Sequence, residues 1–269
     1  MKKNALLFIL LSLIPSGLHP AFEFRYYGFR NSAQGEIVSC LDKTLPPASP
    51  AAGFETPVSF RAAFMDLYGL GLARVTHIST IFPVSPGIRM GLSLQNLDST
   101  PAVPFPYGEN VITLSWSQKI LPSLFWGLNL NSGKISMTHS GTFYGLDAGL
   151  FFSFRNFHLG LLGQNINTPR LLWDSDLTEE LDPVYRAGLS AVITGTRLSL
   201  ELENENNLHC GIEIPYKNIL FSAGAFDRDG QNMTAGIGLT LGKYLLSYGL
   251  VSHPSLGTTQ LWELEWHFR

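Results

Sequence analysis

Arg197-Leu198-Ser199-Leu200-Glu201-Leu202-Glu203 sets a leucine at every second position with a hydroxyl or charged group between. Successive side chains of a β-strand point to opposite faces, so this segment has one apolar and one polar face. The pattern spreads outward from it. Upstream, Tyr185, Ala187, Leu189 and Ala191 oppose Arg186, Gly188 and Ser190. Downstream, Leu208, Cys210, Ile212 and Ile214 oppose His209, Gly211 and Glu213, and Met233, Ala235, Ile237, Leu239 and Leu241 oppose Thr234, Gly236, Gly238, Thr240 and Gly242. At the end of the chain, Trp262, Leu264, Trp266 and Phe268 oppose Leu261, Glu263, Glu265 and His267.

A half-buried soluble sheet also alternates, so the connections decide between the two. From Pro57 onward the pattern predicts fourteen strands, near 57–65, 72–82, 87–97, 109–119, 123–131, 142–154, 157–166, 184–194, 197–205, 208–216, 218–227, 232–242, 244–252 and 258–268. Short connections such as Arg155-Asn156 and Gly242-Lys243 alternate with longer, more polar ones at 98–108, 132–141, 167–183, 204–207, 227–231 and 253–257. Short turns at one end and longer loops at the other, with an even strand count, are features of a bacterial outer-membrane barrel. Closure also removes the open edges that so large a sheet would expose. The fold expected is all-β, a closed antiparallel transmembrane β-barrel of about fourteen strands over 57–269, with an N-terminal plug or lead-in segment.

Composition agrees. Charged residues are 14% of the 269, against about 25% in ordinary soluble domains. A surface facing lipid needs few charges, and the net charge of −3 offers nothing to nucleic acid. Met1-Lys2-Lys3-Asn4, the apolar run Ala5–Ile14 and Pro15-Ser16-Gly17 describe a secretory signal over residues 1–21, too short to span a bilayer as a helix. Residues 22–56, with Leu45-Pro46-Pro47-Ala48-Ser49-Pro50-Ala51-Ala52, break the strand pattern and form either a lumen plug or a periplasmic lead-in. Cys40 and Cys210 are expected to remain two isolated thiols, Cys210 on the lipid face.

Gly141-Thr142-Phe143-Tyr144-Gly145-Leu146-Asp147-Ala148-Gly149-Leu150, continuing to Leu159-Gly160-Leu161-Leu162-Gly163-Gln164-Asn165-Ile166-Asn167, resembles a hairpin of the PorV/PorQ-like outer-membrane proteins, relatives of the FadL transporters of hydrophobic compounds. The matching pattern is an Asp-x-Gly-Leu strand, a short turn, and a strand closing in Gly-x-x-x-x-Asn-hydrophobic. Asp182-Pro183-Val184-Tyr185-Arg186-Ala187-Gly188 resembles the start of the next strand, and Ser49-Pro50-Ala51 is the nearest match to the family's Asn-Pro-Ala element. The resemblance implies a FadL-like barrel of fourteen strands whose N-terminal segment enters the lumen. It also implies either passage of hydrophobic small molecules or, as in PorV, a scaffold role towards exported proteins.

The inward polar positions Arg186, Arg197, Glu201, Glu203, His209, Glu213, Glu263, Glu265 and His267 lie on neighbouring strands and are expected to form a lumen network of cross-strand pairs. Trp262, Leu264, Trp266 and Phe268 form a membrane-facing stripe that contacts lipid and, on the last strand, meets the barrel-assembly machinery. Aromatics including Tyr107, Trp116, Phe125, Trp126, Trp173, Tyr216 and Tyr244 suit interfacial girdles. His77, His139, His158 and His253 lie in no nucleophile setting such as Gly-x-Ser-x-Gly, so no enzymatic role is assigned. Asp227-Arg228-Asp229-Gly230 lacks the later glutamate of a calcium loop and is read as a hairpin turn. No metal or cofactor is expected.

Overall fold

The computed structural model describes residues 26–42, 44, 48–99, 107–175, 177–204, 207–227 and 230–268; the expected signal peptide lies outside them. Among these residues the wall is built by β1 (Ser59–Leu67), β2 (Ala73–Ser85), β3 (Ile88–Ser99), β4 (Gly108–Leu121), β5 (Leu124–Ser136), β6 (Ser140–Phe154) and β7 (Phe157–Gln164), followed by β10 (Val184–Ile193), β11 (Thr196–Glu203), β12 (Asn207–Tyr216), β13 (Ile219–Asp227), β14 (Gln231–Leu241), β15 (Tyr244–His253) and β16 (Gly257–His267). Between β7 and β10, the short strands β8 (Arg170–Trp173) and β9 (Thr178–Glu180) form a hairpin docked on the outer end of β6 through Gly141 opposite Trp173. Each wall strand pairs antiparallel with the next, and β1 pairs with β16 from Ser59 opposite His267 to Asp66 opposite Gln260. The sheet is a closed fourteen-strand antiparallel barrel.

Closure leaves each strand with an inner and an outer face, and the side chains sort accordingly. On β11, Leu198, Leu200 and Leu202 are exposed while Arg197, Ser199, Glu201 and Glu203 are buried. The same parity exposes Leu92 and Leu94 on β3, Ile112 and Leu114 on β4, and Leu159 and Leu161 on β7. A water-soluble barrel would not keep so many leucines on its outside in contiguous bands. The described residues hold no helix long and apolar enough to cross a membrane.

Two-residue turns join β2–β3, β4–β5, β6–β7, β10–β11, β12–β13 and β14–β15, at the end of the barrel where β1 begins and β16 finishes. At the β10–β11 turn both Thr194 (φ 49°) and Gly195 (φ 85°) are left-handed, the conformation that matches a tight hairpin to strand twist. The opposite end departs from the expected loops. The segment 132–141 is mostly strand: β5 and β6 pair as far as Ser136 opposite Ser140, leaving a loop of 137–139. The connections at 204–206, 228–230 and 254–256 are equally short, and only 68–72, 100–107 and 165–183 are longer. The reason lies in the side chains. Beyond Leu130 the outward positions of β5 become Ser132, Lys134 and Ser136 while the inward ones become Gly133 and Ile135. Polarity inverts as the strand leaves the apolar band, although its hydrogen-bond ladder continues.

Three of the expected girdle aromatics turn inward or pack inside. Phe125 is buried against Phe151 and Phe54, while Tyr107 and Trp173 pack on an inner cluster of Ile135, Phe143, Leu171 and Leu181. Trp262, Leu264, Trp266 and Phe268 stand on the outer face, where Trp262 meets Phe64 and Tyr248 and Trp266 meets Tyr244 and Phe268. Both cysteines are free, Cys40 buried and Cys210 exposed on the outer face.

If the outer face lies in lipid, Leu200→Arg should cost roughly 2–4 kcal/mol of folding free energy in bilayers, the penalty for a cation near mid-membrane. Urea titration of the refolded protein, followed by gel mobility, checks this; an unchanged midpoint would exclude lipid contact at that position.

Candidate functional site

The lumen is occupied. Residues 26–42, 44 and 48–56 run inside the wall, with a helical turn, α1 (Phe29–Ser32), packed against β14, β15 and β16, and a 3-10 turn, Ala52–Glu55, against β4, β5 and β6. The wall makes room with glycines where the segment touches it. A Cβ on Gly160 would collide with the Ser39 carbonyl, and one on Gly224 with the Gly35 amide. The wall could not move away from such a contact without breaking its ladder.

Three wall carboxylates hold the segment. Glu201 accepts hydrogen bonds from the Val38 amide (3.1 Å), the Ser39 amide (2.6 Å) and the Ser39 hydroxyl (2.5 Å). Glu213 receives both Arg30 guanidinium donors, and Gln34 Nε2 at 2.9 Å. Glu263 accepts from the Tyr26 hydroxyl and from the Phe29 amide at 3.2 Å. Further contacts are uncharged: the Gly35 amide donates to Thr234 Oγ1 (2.9 Å), Ser190 Oγ donates to the Cys40 carbonyl (2.9 Å), and His209 Nδ1 lies 2.7 Å from the Gly35 carbonyl.

The remaining expected network residues complete the charge balance. Arg186 lies between Glu201 (3.1 Å) and Glu203 with the Tyr27 ring under its guanidinium, and also donates to the Glu36 carbonyl. Arg197 contacts Asp42 at 2.5 Å and Glu213 at 3.7 Å. His209 stacks on Phe226, with Nε2 3.6 Å from Glu203. Glu265 pairs with Arg61 at 2.7 Å, while His267, one-third exposed, lies 3.7 Å from Glu265 at the rim. The ladder sets Arg186 opposite Glu203 and Arg197 opposite Glu213. Sequence reading missed Arg61, Arg30 and Asp42. Arg61 was reachable, since it sits at an inward position between outward Phe60 and Ala62. The partners in the segment were not, because no periodicity orders 26–56.

A second polar group lies across the lumen. Asp147 accepts from Asn131 Nδ2 (2.8 Å), Asn129 Nδ2 (3.3 Å) and the Asn165 amide (2.9 Å), while Thr113 Oγ1 donates to Asn131 (2.8 Å). The outer half of β6 rises beyond its pairing with β7, and 165–167 fill the notch. The Ile166 amide donates to the Leu146 carbonyl, Asn167 accepts from the Leu146 amide and donates to the Tyr144 carbonyl. The Asp147 and Asn165–Asn167 motifs thus tie the chain leaving β7 onto the outer half of β6. At the rim, Asp174 is held below the usual carboxylate range by the Ser140 amide and by His139, whose Nδ1 lies 3.0 Å away. Among the described residues no group of His, Cys, Asp and Glu is arranged to hold a metal ion.

No protein-family model and no curated protein matches this chain. Solved structures do. The Ralstonia pickettii toluene transporter TbuX superposes over 92% of this chain and 100% of its own, with a TM-score of 0.67 at 10% identity. The monoaromatic hydrocarbon channel CymD covers 93% and 99%, with a TM-score of 0.66 at 12% identity. A Pseudomonas aeruginosa FadL homologue covers 91% and 99%, with a TM-score of 0.64 at 11% identity. The chain has the fold of the FadL-type barrels.

Glu201→Ala removes the acceptor of two buried amides and takes one of the two carboxylates from Arg186, leaving Glu203. It should cost on the order of 3 kcal/mol, as loss of one member of a buried charged cluster does. Limited proteolysis should then cut within 26–56 faster than in the parent protein while the wall stays resistant; equal rates would show that this carboxylate does not hold the segment.

Proposed function

We propose that this protein is an outer-membrane channel of FadL type that passes small hydrophobic molecules, exported by its N-terminal signal, with residues 22–56 acting as a lumen plug. The observation that carries the reading is a closed barrel of FadL-type shape whose outer face is apolar from strand to strand. The interior supports it. Met65, Leu67, Val75, Leu97 and Leu261 form an inward apolar layer towards the outer mouth, packed with Tyr26, Tyr27 and Phe29 of the segment, and Leu171 of β8 and Leu181 just after β9 pack inward with Ile135 and Phe143. The solved neighbours include a toluene transporter and a monoaromatic hydrocarbon channel, which makes a small aromatic hydrocarbon the natural probe. We assign the Trp262, Leu264, Trp266 and Phe268 stripe to lipid contact and, as the terminal strand, to recognition by the barrel-assembly machinery. Of the nine-residue polar network from Arg186 to His267, we assign Arg186, Arg197, Glu201, His209, Glu213 and Glu263 to holding the plug, and Glu203, Glu265 and His267 to balancing charge within the wall.

One observation favours a second reading, a PorV-like scaffold for exported proteins that transports nothing. Three wall carboxylates grip the segment, so it must shift before a molecule can pass. Uptake distinguishes the two. The full chain, refolded into liposomes and shown to be heat-modifiable on a gel, should admit toluene faster than empty vesicles do. Folded protein without added flux would leave the scaffold reading, and a monomer soluble without detergent would exclude both.

A further inference from the structure

Three lumen-facing side chains on β1 and β2 keep buried polar atoms without a hydrogen-bond partner among the described residues: Arg61 through Nε, His77 through both ring nitrogens, and Ser79 through its hydroxyl. None is more than 6% exposed. Ser79 stands directly opposite Arg61, and His77 opposite Ala63 on the same face. Opposed residues lie about 5 Å apart and alternate residues of one strand about 7 Å, so the three groups share one patch of wall. The Tyr26 ring covers His77 from the lumen side at 4.7 Å. One tier nearer the outer mouth the wall turns apolar: Met65 opposes both Val75 and Leu261, and Val75 opposes Leu97.

Buried polar groups are normally paired, and several unpaired ones side by side point to a partner outside the chain. Their chemistry narrows it. Arg61 Nε offers only a donor, a neutral imidazole offers one donor and one acceptor, and a serine hydroxyl offers either. A bare hydrocarbon would satisfy none of them. A carboxylate has no proton for the imidazole acceptor and would meet Glu263 and Glu265 on the adjoining strand, Glu265 already lying 2.7 Å from Arg61. A hydroxyl group both accepts and donates. We propose that Arg61, His77 and Ser79 form a subsite for the hydroxyl of a small apolar alcohol or phenol, entered when the Tyr26 ring leaves His77, with the ligand's carbon skeleton taking that ring's place against Met65, Val75, Leu97 and Leu261. The inference rests on the channel reading and narrows its substrate class.

The test compares phenol with toluene on the folded, full-length protein in detergent, by titration calorimetry. Variant-to-parent ratios cancel partitioning into micelles. Ser79→Ala and, separately, His77→Leu should each weaken phenol binding about tenfold, the worth of one net hydrogen bond, and leave toluene binding within about twofold. Ser79→Ala removes a single oxygen, so it keeps the test valid should His77→Leu lose heat-modifiable folding. Phenol binding that is unchanged, or that falls in step with toluene binding, overturns the subsite while the channel reading stands. Failure of the parent protein to bind either compound overturns both.

Discussion

In a closed sheet every strand separates two media, and the parity of its side chains must hold along its length. On β11 a slip of one residue would carry Glu201 to the outside and Leu200 into the lumen. Because β16 returns to β1, the error could not be absorbed at an edge; it would propagate through every ladder to the seam. Parity and closure thus enforce each other. The backbone is satisfied by neighbours all the way round, which is the condition for a sheet to stand in a medium that offers no hydrogen bonds.

The lumen meets the opposite demand. Charges turned inward need partners, and the wall alone supplies only some of them. Arg186 and Glu203, or Arg61 and Glu265, balance across adjacent strands. Glu201 and Glu213 meet wall arginines too, but with Glu263 they also face the N-terminal segment and take its amides, Arg30 and the Tyr26 hydroxyl. Leaving those carboxylates buried without donors would be costly, so segment and wall stabilise each other. The glycines at 160 and 224 are part of the same arrangement, since they let the segment's backbone come close enough for its amides to reach the carboxylates.

This division explains what could be read from the sequence. Strand number, strand parity and the inward charges on β10–β12 and β16 follow from a period of two that lipid on one side and polar partners on the other impose. The outer ends of β5 and β6 were hidden because polarity inverts there: Lys134 points outward and Ile135 inward, so a paired strand resembles a loop. The path of residues 26–56 was hidden for another reason. Its contacts join residues more than a hundred positions apart, such as Gln34 with Glu213, and no local spacing encodes them. The Asp147 and Asn165–Asn167 motifs were visible as a family likeness, but their work of filling the notch beside β6 appears only when the strands are set side by side.

The lumen is therefore asymmetric. Along β10–β16 and β1 its wall is charged and bound to the segment by carboxylates. Along β2–β5 most inward groups are small and uncharged, Ser79 opposing Ser93 and Ser93 opposing Thr113, with Arg89 on the Thr56 carbonyl and Glu109 under the Tyr107 hydroxyl as charged exceptions. Breaking a contact on the charged side strands a buried ion, whereas the bonds of the Tyr26 amide to Gln95 and of the Ser117 hydroxyl to the Pro50 carbonyl are neutral and exchange at a fraction of that cost. In a working channel the segment would then yield first along β2–β5 while the carboxylates keep its other side in place. An apolar molecule with one hydroxyl, entering past Met65 and Val75, would follow the wall where the chain has the least to lose.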